Sequence, residues 1–355
     1  MEFGNEEKLK LGGRSGTVGG TAWGAICGMS KYGSPHKAWM RIKGIDTPIH
    51  ANAKMKRGIR LEPIIADVTA NAIGLNLVEP SNPTVRWPKP YENFSASVDR
   101  DAYEMNGDSE KLGDYRGPVE LKTMSMFGDW GENGPPEYVL QQESYCWERH
   151  LKSMSRGLGP VNESWLSCLQ ADEGVFGMIR NASDAQHAID AGVAVLHTHR
   201  FERSDVFFEQ VVPYVDWWFK KYVEGNTPPP VTDDSSDALE AIKKHYGFQP
   251  EKVCELNPEQ LELIAEYERL TAEYKAQAKL TRDAEKAKKI VQAKVVESLA
   301  GFGKATSDGL VVSVSVTQSK RIDGDRIREE LPEVFEQYQK FSKASAKVTI
   351  KRGGK

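Results

Sequence analysis

The sequence predicts an α/β (α+β) fold, in which a central mixed sheet is flanked by helices and followed by an appendage of a helical hairpin and strands. Three observations lead to it. Residues 51–73 carry apolar side chains at the spacing of a helix that buries one face. Residues 76–123 change to short runs of strand formers between turn residues. Beyond the prolines at 228–230 the chain becomes rich in lysine and glutamate.

Composition narrows the class of protein. The 355 residues are 39% hydrophobic and 28% charged, which is typical of a soluble protein with one large core and an appendage. A formal net charge of -4 argues against a histone-like protein that covers nucleic acid over its whole surface, although it allows a local basic groove. No apolar run reaches the ~18 residues that span a bilayer, and Met1–Lys10 lacks an apolar signal core. We expect a cytoplasmic protein with no membrane partner.

The first part of the chain is predicted to be helical. A helix is expected over 19–26 with Thr21 as its N-cap, a second over 36–43 after a turn cluster, and a third over 51–73 that ends at Gly74. Glu62 lies within the apolar stretch of the third helix. Taken alone, it is better explained as a solvated carboxylate than as a functional one.

The middle of the chain alternates strands and helices. Strands are expected at 77–78, 85–87, 94–99 and 119–123, with residues 103–117 as a loop. A helix over 137–154 follows, then strands at 165–170 and 193–200 joined by a short helical insertion, and an amphipathic helix over 205–223 closes the core.

The domain division predicted from these signals is a core over 1–225, a linker with a short helix over 226–255, and an appendage over 256–355. In the appendage, Asn257-Pro258-Glu259-Gln260 is a helix-start signature. The helix it starts reaches Ala300, and its apolar spacing suits a helical hairpin or a coiled coil. A β-hairpin, a last helix over 326–338 and a basic tail over 351–355 complete this region.

The candidate site is organised around Glu120-Leu121-Lys122. Alternate residues of a strand point to one face, so the carboxylate and the ammonium should lie together. Such a pair is often no more than an ion pair, and Asp99 at the end of its strand has a turn or cap as an equal alternative. Asp99, Glu120 and Gln141 nevertheless follow one another along the chain in the same order as the site residues of a metal-dependent nuclease core. Hard carboxylate oxygens suit Mg²⁺, which can neutralise a scissile phosphate and supply hydroxide.

Several motifs extend the comparison to a family. They are Gly19-Gly20-Thr21-Ala22, Ala25-Ile26-Cys27-Gly28-Met29-Ser30-Lys31-Tyr32, Gly58 with Leu61-Glu62-Pro63, Ala96-Ser97-Val98-Asp99, and Pro136-x-Tyr138-x-x-Gln141. Together they resemble YqaJ-type phage recombination exonucleases, lambda exonuclease-like members of the PD-(D/E)XK nuclease superfamily, over roughly residues 14–225. The resemblance implies a restriction-endonuclease-like core. It also implies Mg²⁺-dependent digestion of linear double-stranded DNA from its ends, 5′ to 3′, with Mn²⁺ able to substitute.

The same resemblance implies the roles of individual residues. Asp99, Glu120 and the carbonyl of Leu121 would bind the metal, Lys122 would handle the attacking water, and Glu62 would be an outer acid. Gln141 is kept from the helix motif, whereas Glu143 stands where the family often repeats glutamine. Arg14 and Thr21 would bind a 5′-phosphate, with threonine in the place of the usual serine. A single-strand annealing protein and a homo-oligomer, a ring trimer in relatives, are the implied partners.

Two other functions stay open at this stage. The same core could be an endonuclease, restriction-like or structure-specific, because chain-end selectivity depends on how a channel is closed. A non-enzymatic adaptor with solvated acidic residues is the third possibility, and the long charged helix is its best support. Cleavage of closed circular DNA separates the first two, and the loss or survival of activity in Glu120→Ala tests the third.

Overall fold

The computed structural model describes residues 16–46, 52–82, 84–106, 112–232, 236–247, 251–307, 310–315 and 324–337. These residues fall into two compact units, one that ends at Gly247 and one that follows it. The first unit contains a mixed five-stranded sheet. The α/β class and the central mixed sheet flanked by helices are therefore confirmed.

Three helices open the first unit: α1 (Gly20–Ile26), α2 (Pro35–Ile42) and α3 (Ala53–Ile73). The N-cap of α1 is Gly19, so the prediction that Thr21 caps this helix is wrong; Thr21 lies in the first turn and is exposed. Helix α3 ends as predicted, because Gly74 adopts the left-handed conformation with φ 67° and donates its N–H to Ala70.

The strands of the first unit are β1 (Leu75–Val78), β2 (Thr84–Arg86), β3 (Ser95–Ser97), β4 (Arg100–Glu104), β5 (Tyr115–Ser125), β6 (Glu163–Ala171) and β7 (Ala194–Glu202). Strands β1, β4 and β5 are antiparallel neighbours, β6 is parallel to β5, and β7 is antiparallel to β6. Strands β2 and β3 form a separate two-stranded ladder. Strand β5, which carries the Glu-x-Lys triplet, is thus paired on both sides.

The loop predicted over 103–117 is an error at both ends. Strand β4 runs to Glu104 and β5 begins at Tyr115. The rings of Tyr103 and Tyr115 pack edge to face across this pair, and Ala102 is fully buried. The loop was predicted because the segment is rich in glycine, aspartate and glutamate, but pairing and packing in the sheet outweigh that local preference.

The described part of the first unit contains further helices. They are α4 (Pro136–Ser155), α5 (Glu173–Met178), α6 (Ala182–Asp190), α7 (Val212–Trp218), which has π-helical turns on both sides (Phe207–Val211 and Phe219–Glu224), and α8 (Ser236–Tyr246). Helix α4 packs on α1, β5 and β6. Helix α8 packs on α2, where Ser34 donates a hydrogen bond of 2.9 Å to Asp237 and Trp39 contacts the ring of His245.

The second unit contains α9 (Pro258–Ser298), the hairpin of β8 (Lys304–Ser307) and β9 (Leu310–Ser313), and the helices α10 (Gly324–Glu330) and α11 (Pro332–Gln337). The capping box of Asn257 and Gln260 is present as predicted. Helix α9 is continuous over 41 residues rather than folded back as a helical hairpin. The single helix predicted over 326–338 is interrupted before Pro332, since proline cannot donate to the preceding turn. The basic tail at 351–355 lies outside the described residues.

Among the helices that the structure describes, none is both long enough and apolar enough to cross a membrane.

Candidate active site

Strand β5 brings Glu120 and Lys122 to one face of the sheet, beneath α4. Glu120 is 2% exposed, and Lys122 is partly buried. The ammonium of Lys122 donates a hydrogen bond to Oε1 of Glu120. Oε2 of Glu120 is buried and has no hydrogen-bond partner among the described residues. A buried carboxylate oxygen in this state is costly unless a further ligand occupies it.

Asp99 reaches the same place from the short connection between β3 and β4. Its Oδ2 accepts a hydrogen bond of 2.9 Å from the backbone N–H of Leu121, which fixes the carboxylate beside Glu120. Burial and the charge of Glu120 raise the pKa of Asp99 to about 7, although the ammonium of Lys122 opposes the shift. The turn or cap role that the sequence also allowed for Asp99 is not what its side chain does.

Gln141 approaches the cluster from α4. Its Nε2 donates to Oε1 of Glu120 at 2.5 Å and to the hydroxyl of Tyr145 at 2.9 Å. Gln141 is 3% exposed, so the two bonds define its side-chain position. One carboxylate oxygen of Glu120 is therefore held by Lys122 and Gln141, whereas the other is left free to bind a ligand.

Lys122 remains a cation in this setting. Burial lowers its pKa, but the charges of Glu120 and Asp99 outweigh burial and raise the pKa above the usual value for lysine. The ammonium also lies 4.9 Å from the centroid of the Tyr138 ring, a cation–π contact. A lysine held in this way can orient groups and stabilise negative charge, but it is a poor general base.

Glu62 lies on α3 at the edge of the cluster. Its Oε1 accepts a hydrogen bond of 2.8 Å from Arg100, whose guanidinium also donates to the backbone carbonyl of Asp99 at 2.6 Å. Burial and the charge of Asp99 raise the pKa of Glu62, while Arg100 opposes this. Glu62 is thus linked to Asp99 through Arg100.

The donor set fits a hard divalent cation. Asp99 and Glu120 supply two adjacent carboxylates, and the carbonyl of Leu121 is the third predicted ligand; Mg²⁺ accepts such a set because it keeps several of its waters. Within the described part of the chain, no cluster of three or more histidine, cysteine or acidic residues could bind a metal. A site with only two carboxylates is consistent with that finding. The orphaned oxygen of Glu120 is the observation that supports the fit.

Arg14 and Thr21 are the two residues predicted to bind a 5′-phosphate. Arg14 lies outside the described residues. Thr21 is exposed in the first turn of α1, next to Gly20, which packs against the ring of Tyr145. Since Tyr145 bonds to Gln141, the start of α1 lies beside the predicted catalytic residues.

Sequence reasoning missed two members of the cluster. Arg100 links Glu62 to Asp99, and Tyr145 supports Gln141 from one helical turn away. The i, i+4 spacing of Gln141 and Tyr145 could have indicated the second, because such residues meet on a helix. Nothing in the sequence singles out Arg100 among the charged residues around it.

Comparison with known proteins gives one informative match. Residues 11–148, less than half of the chain, match the family model of the YqaJ-like viral recombinase domain. No curated protein matches the chain.

Two similar solved structures are of an alkaline exonuclease, LHK-Exo. One, in complex with dAMP, is 17% identical, covers 60% of this chain and 90% of that chain, and has a TM-score of 0.36. The other, from Laribacter hongkongensis, is 18% identical, covers 62% of this chain and 94% of that chain, and has a TM-score of 0.35.

The family match agrees with the motifs that carried the resemblance. Gly20, Glu62, Asp99, Glu120 and Gln141 all lie within the matched segment. The match is to a domain that is described as a viral recombinase. The segment 11–148 is thus similar to the YqaJ-like viral recombinase domain family.

Proposed function

We propose that this chain is a Mg²⁺-dependent exonuclease that digests linear double-stranded DNA 5′ to 3′. The 3′ single strands that it exposes would be substrates for annealing-type recombination, with a single-strand annealing protein as partner. The metal, the polarity and the partner come from the family resemblance. The observation that carries the proposal is the juxtaposition of Asp99 and Glu120, one carboxyl with a raised pKa and the other with a buried, unpartnered oxygen.

The residues of the cluster have separable tasks in this proposal. Asp99, Glu120 and the carbonyl of Leu121 would hold the ion, which supplies charge neutralisation at the scissile phosphate and acidifies the attacking water. Lys122, cationic and fixed against Glu120, orients that water and stabilises the charge that develops on the phosphate. Gln141 holds the Glu120 carboxylate in position, and Tyr145 holds Gln141.

Glu62 acts at one remove from the reacting atoms. Its carboxylate is bound by Arg100, and Arg100 in turn holds the backbone of Asp99. This arrangement makes the pair a support for the Asp99 ligand. In this proposal Glu62 takes the outer position that the resemblance implies.

The end of the DNA would be recognised near α1. Thr21 stands beside Gly20 and hence close to Tyr145 and Gln141, and its hydroxyl is exposed. A 5′-phosphate bound there would place the terminal nucleotide next to the carboxylates. Arg14, five residues before Gly19, would add a charge-assisted contact.

Digestion of DNA with defined ends and topology tests the proposal. The substrates are a linear duplex with 5′-phosphates, the same duplex with 5′-hydroxyls, and closed circular DNA of the same sequence. We expect Mg²⁺-dependent release of mononucleotides from the phosphorylated linear duplex, slower release from the hydroxyl duplex, and no cleavage of the circle.

Each alternative outcome contradicts a different part of the proposal. Cleavage of the circle would replace the exonuclease with an endonuclease of the same core. Equal rates on the two kinds of end would remove the phosphate contact at Thr21 and Arg14. Release from 3′ ends, read with a strand-specific label, would reverse the polarity.

A further inference from the structure

Helix α9 exposes an apolar stripe that runs along most of its length and is interrupted by a few polar side chains. None of its 41 residues is buried. Seven apolar side chains follow the alternating three- and four-residue spacing of a heptad repeat: Leu263, Tyr267, Leu270, Tyr274, Ala284, Val291 and Val295. Large members are open to solvent, with Leu263 63% and Tyr274 75% exposed. A heptad stripe of this kind packs against another helix.

The charges of α9 are divided between its two halves. Residues 258–277 carry five glutamates against Arg269 and Lys275, a net charge of -3. Residues 279–298 carry six lysines and arginines against Asp283, Glu285 and Glu297, a net charge of +3. The acidic half of one such helix is therefore complementary to the basic half of another that runs in the opposite direction.

We propose that α9 pairs with α9 of a second copy of this chain as an antiparallel two-stranded coiled coil centred near Lys279. The heptad positions then meet in these layers, each occurring twice: Leu263 with Val295, Tyr267 with Val291, Leu270 with Lys288, Tyr274 with Ala284, and Gln277 with Thr281. Each tyrosine is set against a smaller side chain, which is the combination that fills space between facing helices.

The centre of the pairing carries the features that fix its register. Gln277 and Thr281 face each other in the two central layers, and polar side chains inside a coiled-coil seam specify alignment at some cost in stability. Leu280, which is 65% exposed, lies beside the seam at the centre and meets its own copy across the two-fold axis. Lys288 is the one charged residue in the seam, and its aliphatic stem can cover Leu270 while the ammonium reaches water.

A parallel pairing fits the same stripe poorly. It would set Tyr267 on Tyr267, Tyr274 on Tyr274 and Lys288 on Lys288. It would also align the five glutamates of one helix with the same five of the other, and like charges on facing helices are destabilising. The division of charge thus favours a second copy of α9 as the partner helix and an antiparallel direction for the pair.

Cross-linking of full-length variants with one cysteine added in α9 tests the pairing. The background is Cys254→Ser, because Cys254 is exposed; Cys146 and Cys168 are buried, and the partly exposed Cys27 is present in the background, which controls for its reaction. Ala278→Cys places a thiol beside the centre, where the two copies lie about 8–10 Å apart. Leu263→Cys places it near one end, where the two thiols of an antiparallel pair are about 48 Å apart along the helices.

We expect a short bismaleimide to convert most of the Ala278→Cys protein to a species of twice the chain mass on a denaturing gel. Leu263→Cys and the background should stay at the level of one chain. Efficient cross-linking of Leu263→Cys would show a parallel pair, and no cross-linking of Ala278→Cys above background would show that α9 does not pair with itself. Either result overturns the proposal.

A second set of variants separates pairing from chance collision. Tyr267→Glu with Leu270→Glu in the Ala278→Cys protein puts charge into the seam and should abolish the cross-link. Ala272→Glu adds a charge to the opposite, outward face of α9 and should leave the cross-link intact. If both remove it, or neither does, the seam is not the contact. Apart from the background change at Cys254, every substituted residue is on α9, which has no buried side chains, so all variants should keep the first unit folded, and its folding is the common control.

Discussion

Gly20 offers a way to test how α1 supports the proposed catalytic cluster, because it contacts Tyr145 and not the carboxylates. A Cβ at this position would lie 2.7 Å from Cε1 and Cζ of Tyr145. Carbon atoms in contact are normally about 3.5–4.0 Å apart, so in Gly20→Ala the ring must retreat by about 1 Å. The hydrogen bond of 2.9 Å between Gln141 and the hydroxyl of Tyr145 would be lost or lengthened with it.

The expected cost follows from those two changes. Overpacking of a core costs about 1–3 kcal/mol, and loss of a buried hydrogen bond adds about 0.5–1.5 kcal/mol. The free energy of unfolding of Gly20→Ala should therefore fall by about 1.5–4.5 kcal/mol, which lowers the melting temperature by roughly 3–18 °C. Since Gln141 also positions Glu120, the rate of DNA digestion should fall by about 10- to 100-fold at temperatures where the variant is folded.

Gly58→Ala is the matched control, because Gly58 also lies in a helix but a Cβ there would meet nothing within 4 Å. Replacing a helical glycine with alanine should stabilise the protein by about 0.5–1 kcal/mol and leave the rate unchanged. Thermal melts followed by circular dichroism and digestion rates of linear DNA provide the two readouts. If Gly20→Ala melts and digests DNA like Gly58→Ala, the packing of α1 on Tyr145 does not support the site.

Two further predictions concern the charged groups. Lys122→Ala should reduce turnover by about 10²-fold or more while the dissociation constant for DNA changes little, because the ammonium acts on the reaction and is largely buried. If a gel-shift assay shows an equal loss of DNA binding, Lys122 serves in substrate binding instead. Because the pKa of Asp99 in the metal-free protein is raised to about 7, its carboxyl must lose a proton when it binds a cation. Affinity for Mg²⁺ should therefore rise with pH up to about 7 and level off above it. The same raised pKa lowers the free energy of unfolding of the metal-free protein as pH rises from the pKa of this aspartate in the unfolded chain toward 7. In Asp99→Asn, calorimetric titration should no longer show the rise of Mg²⁺ affinity with pH, and thermal melts should no longer show the fall in stability. If both pH dependences survive in this variant, the titrating group is not Asp99.

Local signals predicted the parts of the fold that local physics determines. The glycine stop of α3, the capping box at Asn257 and the shared face of Glu120 and Lys122 all depend on residues within four positions of one another. These interactions are the same in any tertiary context. The sequence therefore predicted them without knowledge of the sheet order.

Features that depend on distant residues were not predicted. Strand β4 and the start of β5 contain charged residues, glycine and proline, and they are strands because of their partners in the sheet. Arg100 acquires its role only when α3 brings Glu62 within 2.8 Å of its guanidinium, across 38 positions of the chain. Position in sequence does not reveal such a contact when each residue alone is compatible with a solvated surface.

The central claim is that Asp99 and Glu120 form a site for a divalent cation, and titration of the folded protein with Mg²⁺ tests it most directly. The comparison is between the unaltered chain, Glu120→Gln and the control Glu143→Gln. Glu143 is another buried carboxylate of the first unit, but its Oε2 accepts a hydrogen bond of 3.1 Å from Ser204, which glutamine can also accept. By isothermal titration calorimetry we expect one Mg²⁺ site in the unaltered chain and in Glu143→Gln, and no measurable binding in Glu120→Gln. Unchanged Mg²⁺ affinity in a folded Glu120→Gln protein would contradict the account.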